Sequence, residues 1–241
     1  MYTLGSRVRY SEVDEEGNLT LTGIMNYMQD CSTFQSEDNG LGVSYLTNRN
    51  KAWWLSSWQI VIDRYPVMGE EISVCTWPYD FKGFYGYRNF IITDQNGNNL
   101  VKANSVWFLF DTEKGRPAKI EADDIKGYGL GLEKSLDMEY APRKIDIPDH
   151  YEIVDSVMVS KHHLDTNHHV NNAKYVEIAR EVLPEELEVS ELRVEYKKAA
   201  ILGDLIYPHV SRTKEGYIIS LCDQRGTVYA VVCLRGTTER K

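Results

Sequence analysis

Ten strand-like runs and two clear helices follow one another along the 241 residues in an order that occurs twice. In the first half, Thr3–Tyr10, Trp54–Asp63, Glu71–Pro78, Tyr87–Thr93 and Leu100–Phe110 are rich in β-branched and aromatic residues. Gly, Pro or Asn breaks them, as expected of strands. Gln95-Asn96-Gly97-Asn98 predicts a hairpin turn between the last two. The second half repeats the pattern in Tyr151–Ser160, Glu191–Lys198, Asp204–Ser211, Gly216–Cys222 and Thr227–Leu234, with a turn at Asp223-Gln224-Arg225-Gly226. One helix lies near the start of each half. Ile24, Tyr27, Met28, Cys31 and Phe34 fall at helical spacing, with Thr22 as N-cap and Gly40 as stop. In the second half Val176, Ala179 and Val182 follow Asn171 or Asn172 as N-cap, and Pro184 ends the run. Both helices are more apolar than a surface helix between strands, which suits a helix wrapped by a sheet. The chain therefore reads as an α+β protein built by duplication, each half ordered strand, helix, four strands.

Particular positions agree when the halves are overlaid. Asp14 falls over Asp165, and Tyr27 over Tyr175 with three extra residues in the first half. Ile60-Val61-Ile62 with Gly69 falls over Val194-Glu195-Tyr196 with Gly203. The expected domains are 1–125 and 149–241, joined by a linker at 126–148 within a Gly-rich, charged stretch (114–148) that lacks sustained periodicity.

Charge and cysteine content narrow the function classes. Lys plus Arg number 27 against 36 Asp plus Glu, a net charge of −9 spread evenly along the chain. Phosphate neutralisation needs clustered excess base, so nucleic-acid binding is not expected. No run approaches the ~20 apolar residues of a membrane span, and Met1–Gly17 has no apolar segment of a secretory signal. Cys31, Cys75, Cys222 and Cys233 are scattered in apolar surroundings without a CxxC pair, and read as reduced packing cysteines of a cytoplasmic protein. Sixteen tyrosines among 27 aromatic residues suit strands and an apolar ligand surface.

The densest polar cluster is His162-His163-Leu164-Asp165-Thr166-Asn167-His168-His169-Val170-Asn171-Asn172, leading into the second helix. If the segment is extended, Asp165, Asn167 and His169 share one face. An imidazole can take a proton from water near neutral pH. An amide can donate to a carbonyl oxygen developing negative charge. A carboxylate can orient a partner or attack directly. The helix N-terminus adds partial positive charge. The same residues also suit a polar turn capping a helix, and the four histidines could ligate a metal or sense pH. Gly-x-Ser-x-Gly, a phosphate-binding Gly loop and HExxH are all missing from the sequence. Cys31 lies on the apolar helix face with no His nearby in sequence.

The run Leu164–Tyr175 closely resembles the D-x-N-x-H-V-N-N-x-K-Y signature of the acyl-ACP thioesterases, bacterial and plant. Trp54-Leu55-Ser56, Ile62-Asp63-Arg64-Tyr65-Pro66 with Gly69, and Arg9-Tyr10-Ser11-Glu12-Val13-Asp14 with Leu21-Thr22 resemble that family's first half. The length is similar to that of the bacterial forms, which lack a plastid transit peptide. The resemblance implies a tandem hotdog, two antiparallel sheets each wrapped round a helix and packed as an internal pseudo-dimer. It further implies hydrolysis of the thioester between a fatty acyl chain and the phosphopantetheine arm of acyl carrier protein, without metal or cofactor.

The resemblance makes Asp165, Asn167 and His169 the catalytic set, and gives the first hotdog the acyl chain, with Met25, Met28, Trp54, Trp58 and Ile60 as candidate pocket residues. One departure stands out. The family commonly continues E-Y-R-R-E-C after the second helix, whereas this chain reads Glu195-Tyr196-Lys197-Lys198-Ala199-Ala200, with Ala199 at the acidic position. In an unbroken strand Glu195 lies on the face of Ala199 but roughly 13 Å away, too far to replace it. Because acyl carrier protein is acidic, an acidic enzyme needs a local basic patch to meet it, and Lys174, Arg180, Arg193, Lys197 and Lys198 are the candidates. A homodimer is compatible with this reading. Two alternatives use the same residues: an acyl-CoA thioesterase of the same fold, or a weakened acyl- or carrier-binding module, which Ala199 would explain.

Overall fold

Burial alternates along part of the strand-like runs: in Glu71–Lys82 the buried residues Ile72, Val74 and Thr76 are separated by more exposed neighbours, whereas Leu55–Ile60 and Tyr229–Leu234 are buried throughout. The computed structural model describes residues 1–128, 134–183 and 187–237. They fall into two units, Met1–Ser56 with Ile62–Tyr140, and Ser57–Val61 with Ala141–Lys241.

Unit 1 contains β1 (Tyr2–Arg7), α1 (Leu21–Asp38), a short α2 (Val43–Thr47), β2 (Lys51–Ile62), β3 (Glu71–Lys82), β4 (Tyr85–Thr93), β5 (Asn99–Asp111), β6 (Arg116–Pro117) and α3 (Ala122–Ile125). Its antiparallel sheet runs β1-β3-β4-β5-β2. Helix α1 lies on β1 and β3 and buries Ile24, Met25, Met28 and Cys31. The Cys31 thiol donates to the Val74 carbonyl at 3.2 Å, and burial pushes its pKa up to about 12, as suits an inert packing thiol. Under the second half of α1 the core is polar. The buried Arg88 donates through Nη1 to Gln35 Oε1 and Thr76 Oγ1, and its guanidinium lies over the Tyr128 ring. Burial brings this cation's pKa down to about 10.

Unit 2 contains β7 (Glu152–Ile153), β8 (Val157–Met158), α4 (Asn172–Glu181), β9 (Glu188–Tyr196), β10 (Leu205–Arg212), β11 (Gly216–Cys222) and β12 (Val228–Thr237). Its sheet order is β9-β12-β11-β10-β7, and Ser57–Val61 pairs with Glu191–Glu195 at the β9 edge. Helix α4 packs on β11 and β12. Single strands were expected at all ten positions, but Tyr151–Ser160 is two short pieces, β7 and β8. They flank Pro208 on β10, whose carbonyl accepts from Val154. Pro208 presents no N–H on that side, and the ladder breaks there.

Two further expectations are corrected. The N-cap of α1 is Thr20, not Thr22: Thr20 has extended backbone, its Oγ1 accepts from the Gly23 amide at 3.1 Å, and its own amide is held by the Glu12 carbonyl. The three-residue insertion between the halves is also absent. Helix α1 begins seven residues after Asp14 and α4 seven after Asp165, so Tyr175 lies over Ile24 rather than Tyr27. At the second helix the N-cap is Asn171, whose Oδ1 accepts from Ala173. Pro184, expected to end that run, lies outside the described residues, as does part of the linker, 129–133.

Replacing Gln35 by Ala removes one of the two acceptors of a buried guanidinium. Urea unfolding should show a loss of about 2–3 kcal/mol, whereas an unchanged midpoint would mean that Arg88 does not depend on Gln35.

Candidate active site

The polar segment of unit 2 is a closed turn rather than an extended strand. The Asp165 amide donates to the His169 carbonyl at 2.8 Å, and the His168 amide to the Asp165 carbonyl at 3.1 Å. Asp165 Oδ1 accepts from the backbone amides of Asn167 (2.8 Å) and His169 (3.2 Å). A carboxylate that bonds the backbone two and four residues on gives a tight turn, so strand alternation does not bring the three side chains together. His168 takes φ 60°, a left-handed conformation that an L side chain rarely adopts. Val170 donates to the Ala200 carbonyl at 2.9 Å, and His169 bridges to Ile201. Asn171 is tied back to the His163 carbonyl at 2.8 Å, and α4 starts at the next residue.

Among the described residues this turn occurs four times. Asp14, Asp94 and Asp223 each accept from the same two relative amides, and each is followed three residues on by a glycine at positive φ (Gly17, Gly97, Gly226). Around Asp14 the correspondence extends bond by bond. Asp14 donates to Asn18, Leu19 to Pro66, Thr20 to Glu12 and Gly69 to Val8. In unit 2 Asp165 donates to His169, Val170 to Ala200, Asn171 to His163 and Gly203 to Val159. The backbones agree while the side chains differ. Glu12, Glu16, Gly17 and Asn18 of unit 1 stand where unit 2 has His163, Asn167, His168 and His169. The frame is duplicated, while the polar groups mounted on it are not.

Asn167 is exposed, whereas Asp165 and His169 are half-buried. Asp165 Oδ2 is not used by the backbone of the turn and lies 3.5 Å from Asn167 Nδ2. His163 is buried, and its Nδ1 accepts from the Ser160 amide at 3.0 Å. Among the described residues no three His, Cys, Asp or Glu side chains converge to hold a metal ion.

Strand β9 ends at Tyr196, where the amides of Lys197 and Lys198 both turn to the Tyr229 carbonyl. The premise that Glu195 and Ala199 share a strand face therefore fails. Glu195 is buried and committed, accepting from the Ile145 amide at 3.1 Å and from Lys197 Nζ at 3.0 Å. Ala199 itself is exposed.

The candidate pocket residues fall into two groups. Met25 and Met28 are buried on α1, and Trp54 stacks on Phe110 at 3.8 Å, all in unit 1. Trp58 and Ile60 are buried in the stretch of β2 that belongs to unit 2. Of the basic candidates, Lys174 pairs with Glu177, Lys197 with Glu195 and Lys198 with Asp223. Arg193 donates to the Pro142 and Lys144 carbonyls. Arg180 is exposed and has no side-chain partner among the described residues.

Two family models match the chain. The acyl-ACP thioesterase N-terminal domain matches residues 1–128 and its C-terminal domain residues 148–232, so the chain belongs to the acyl-ACP thioesterase family. A chloroplastic acyl-[acyl-carrier-protein] hydrolase of Cuphea viscosissima is 25% identical over 205 residues, covering 79% of this chain and 50% of that protein. The chain spans about half the length of the curated relatives it matches. The crystal structure of an acyl-ACP thioesterase from Bacteroides thetaiotaomicron superposes with TM-score 0.88 at 22% identity, over 98% of this chain and 97% of that one. A 12:0-ACP thioesterase from Umbellularia californica gives TM-score 0.83 at 19% identity, over 99% and 97%. The fold is the tandem hotdog. Among the described residues no helix is long and apolar enough to cross a membrane.

His163 supplies a pH test of this frame. Burial, helped by His162 and Lys174, lowers its pKa, so the folded state favours the neutral ring that accepts from Ser160. That stability is present above the ordinary histidine value of about 6.5 and is lost as pH falls through the lowered value. Urea midpoints at about pH 7.5 and 5.5 should fall further for the wild type than for His163→Gln; parallel falls would contradict this.

Proposed function

We propose that the chain hydrolyses the thioester linking a fatty acyl chain to acyl carrier protein, releasing free fatty acid and the carrier thiol. The observation that carries this reading is a turn built four times by the same bonds, which bears Asn167 and His169 in only one copy. Membership of the thioesterase family supports it.

Asn167, exposed at the tip, donates from its side-chain amide to the thioester carbonyl oxygen, and the positive end of α4 favours the same developing charge. Oδ1 of Asp165 holds the turn, so Oδ2 is left for chemistry. Its position beside the Asn167 amide supports attack by Oδ2 on the carbonyl carbon. The C–S bond then breaks, and the electron pair leaves on the pantetheine sulfur, which takes up a proton from solvent water. The mixed anhydride is hydrolysed by water that gives its proton to His169, and Asp165 is restored. Direct attack by water activated by His169 is the competing route. Neither route calls for a metal or cofactor.

Met25, Met28, Trp54, Trp58 and Ile60 remain our candidates for the acyl chain. For the carrier, Arg180 is the strongest basic candidate, because Lys174, Lys197 and Lys198 already have acidic partners. An acyl-CoA thioesterase would use the same groups, and kcat/KM on matched acyl-carrier and acyl-CoA substrates separates the two.

Asp165→Asn keeps an oxygen for the turn but removes Oδ2. It should lose turnover by about 100-fold or more with its unfolding midpoint unchanged, and near wild-type turnover would assign the chemistry to water and His169. Asn167→Ala should cost about 10²–10³ in kcat with the fold kept. Arg180→Glu should raise KM for the carrier-linked substrate and leave the CoA thioester unaffected; equal effects on both would remove Arg180 from the carrier surface.

A further inference from the structure

Overlaid without a gap from turn to helix, the two units show a coupled difference next to the proposed catalytic turn. In unit 1 the residue whose carbonyl receives the turn is Pro66, and the helix residue at the position of Tyr175 is the buried Ile24. In unit 2 the same two places hold Ala200 and Tyr175. Proline has no N–H, so unit 1 leaves nothing to satisfy there. Ala200 has one, and the Tyr175 hydroxyl accepts it at 2.8 Å in a buried position. An unpaired buried N–H costs about 1–3 kcal/mol, so a proline would have been the simpler solution in both units. A second tyrosine marks the same place. Tyr196 stands where unit 1 has Ile62, donates its hydroxyl to the Asn172 carbonyl at 3.0 Å, and meets the Tyr175 ring edge-on at 5.9 Å. Both polar exchanges lie in the unit that carries Asn167 and His169.

We propose that Tyr175 is a positioning residue: its hydroxyl fastens the Ala199–Ile201 segment to α4, and that segment in turn holds the turn bearing Asn167 and His169. The links are direct. The Val170 amide donates to the Ala200 carbonyl, His169 bridges to Ile201, and the Ile201 amide is fixed by Asp204 Oδ2 at 3.0 Å. Asp204 Oδ2 also accepts from the Tyr229 hydroxyl at 3.1 Å. Helix α4 begins two residues after Val170, so Tyr175 closes a loop through helix, turn and segment. Tyr196 braces the helix end of that loop. Burial pushes the Tyr175 phenol up to about 12, so the hydroxyl stays neutral throughout the working range. A misplacement of about 1 Å at reacting groups can cost 10²-fold in rate, which gives a tether of this kind its value.

This inference rests on the thioesterase reading, and two variants keep their failures apart. Tyr175→Phe orphans the Ala200 N–H and cuts the tether. Tyr175→Phe/Ala200→Pro cuts the tether but, like unit 1, leaves no N–H to satisfy. Tm and steady-state kinetics on an acyl-carrier substrate are measured for both beside the wild type. In Tyr175→Phe, Tm should drop by a few degrees and kcat by about 10- to 100-fold, with KM within about twofold. In the double variant Tm should recover while kcat stays low. Recovery of Tm and kcat together, or wild-type kcat in Tyr175→Phe, would show that Tyr175 only satisfies a buried amide and would overturn the proposal. If the single variant does not fold, the double variant decides. A wild-type protein without thioesterase activity would instead refute the functional reading itself.

Discussion

A carboxylate accepting two backbone amides, two and four residues further on, is the interaction on which the site depends. Without it the chain between Leu164 and Val170 has no reason to turn, and Asn167 and His169 have no fixed place beside α4. The bond set is local, and among the described residues it forms at four aspartates, each followed three residues on by a residue at positive φ. Three copies use glycine for that residue, while the fourth uses His168. Backbone strain of this sort, of about 1–3 kcal/mol, tends to sit where function requires it. Here it lies between Asn167 and His169, two of the side chains on which turnover is proposed to depend.

Duplication explains why such a frame could take on chemistry. Each unit closes a sheet over a buried helix and ties the helix entry to the sheet by the same bonds. One copy can therefore change its exposed turn side chains while the fold is kept by groups that stay the same. The polar exchanges in unit 2 involve these exposed groups and the buried tyrosines that brace them. Unit 1 instead carries a buried cation under its helix, Arg88 with Gln35 and Thr76.

Much of this was legible in the sequence, because β-branched and aromatic runs, helical spacing and turn residues act locally. Nine of the ten strand runs and both helices follow from that pattern, and the turns at Asn96-Gly97 and Arg225-Gly226 from their glycines. Where the reading failed, a non-local bond decided. Thr20 rather than Thr22 caps α1 because Glu12 holds its amide, and Tyr151–Ser160 splits because Pro208 lies on the neighbouring strand. Matching Tyr27 to Tyr175 by identity brings in a gap, and with it the exchange of Ile24 for Tyr175 is lost from view. Asp165, Asn167 and His169 were picked out by type and by resemblance. The turn that presents them was not, since extended alternation and a side-chain-bonded turn look alike in sequence.

The central claim is that this chain's chemistry is carried by side chains mounted on a backbone frame that unit 1 also possesses. Exchanging the turn itself tests it most directly: Thr166→Glu, Asn167→Glu, His168→Gly and His169→Asn together give unit 2 the turn of unit 1. Hydrolysis of an acyl-carrier substrate is measured together with urea unfolding. The account predicts a fold at least as stable as the wild type, since His168 is relieved at positive φ, and no measurable turnover. Turnover that persists in a folded protein would contradict it and place the reacting groups elsewhere in the chain.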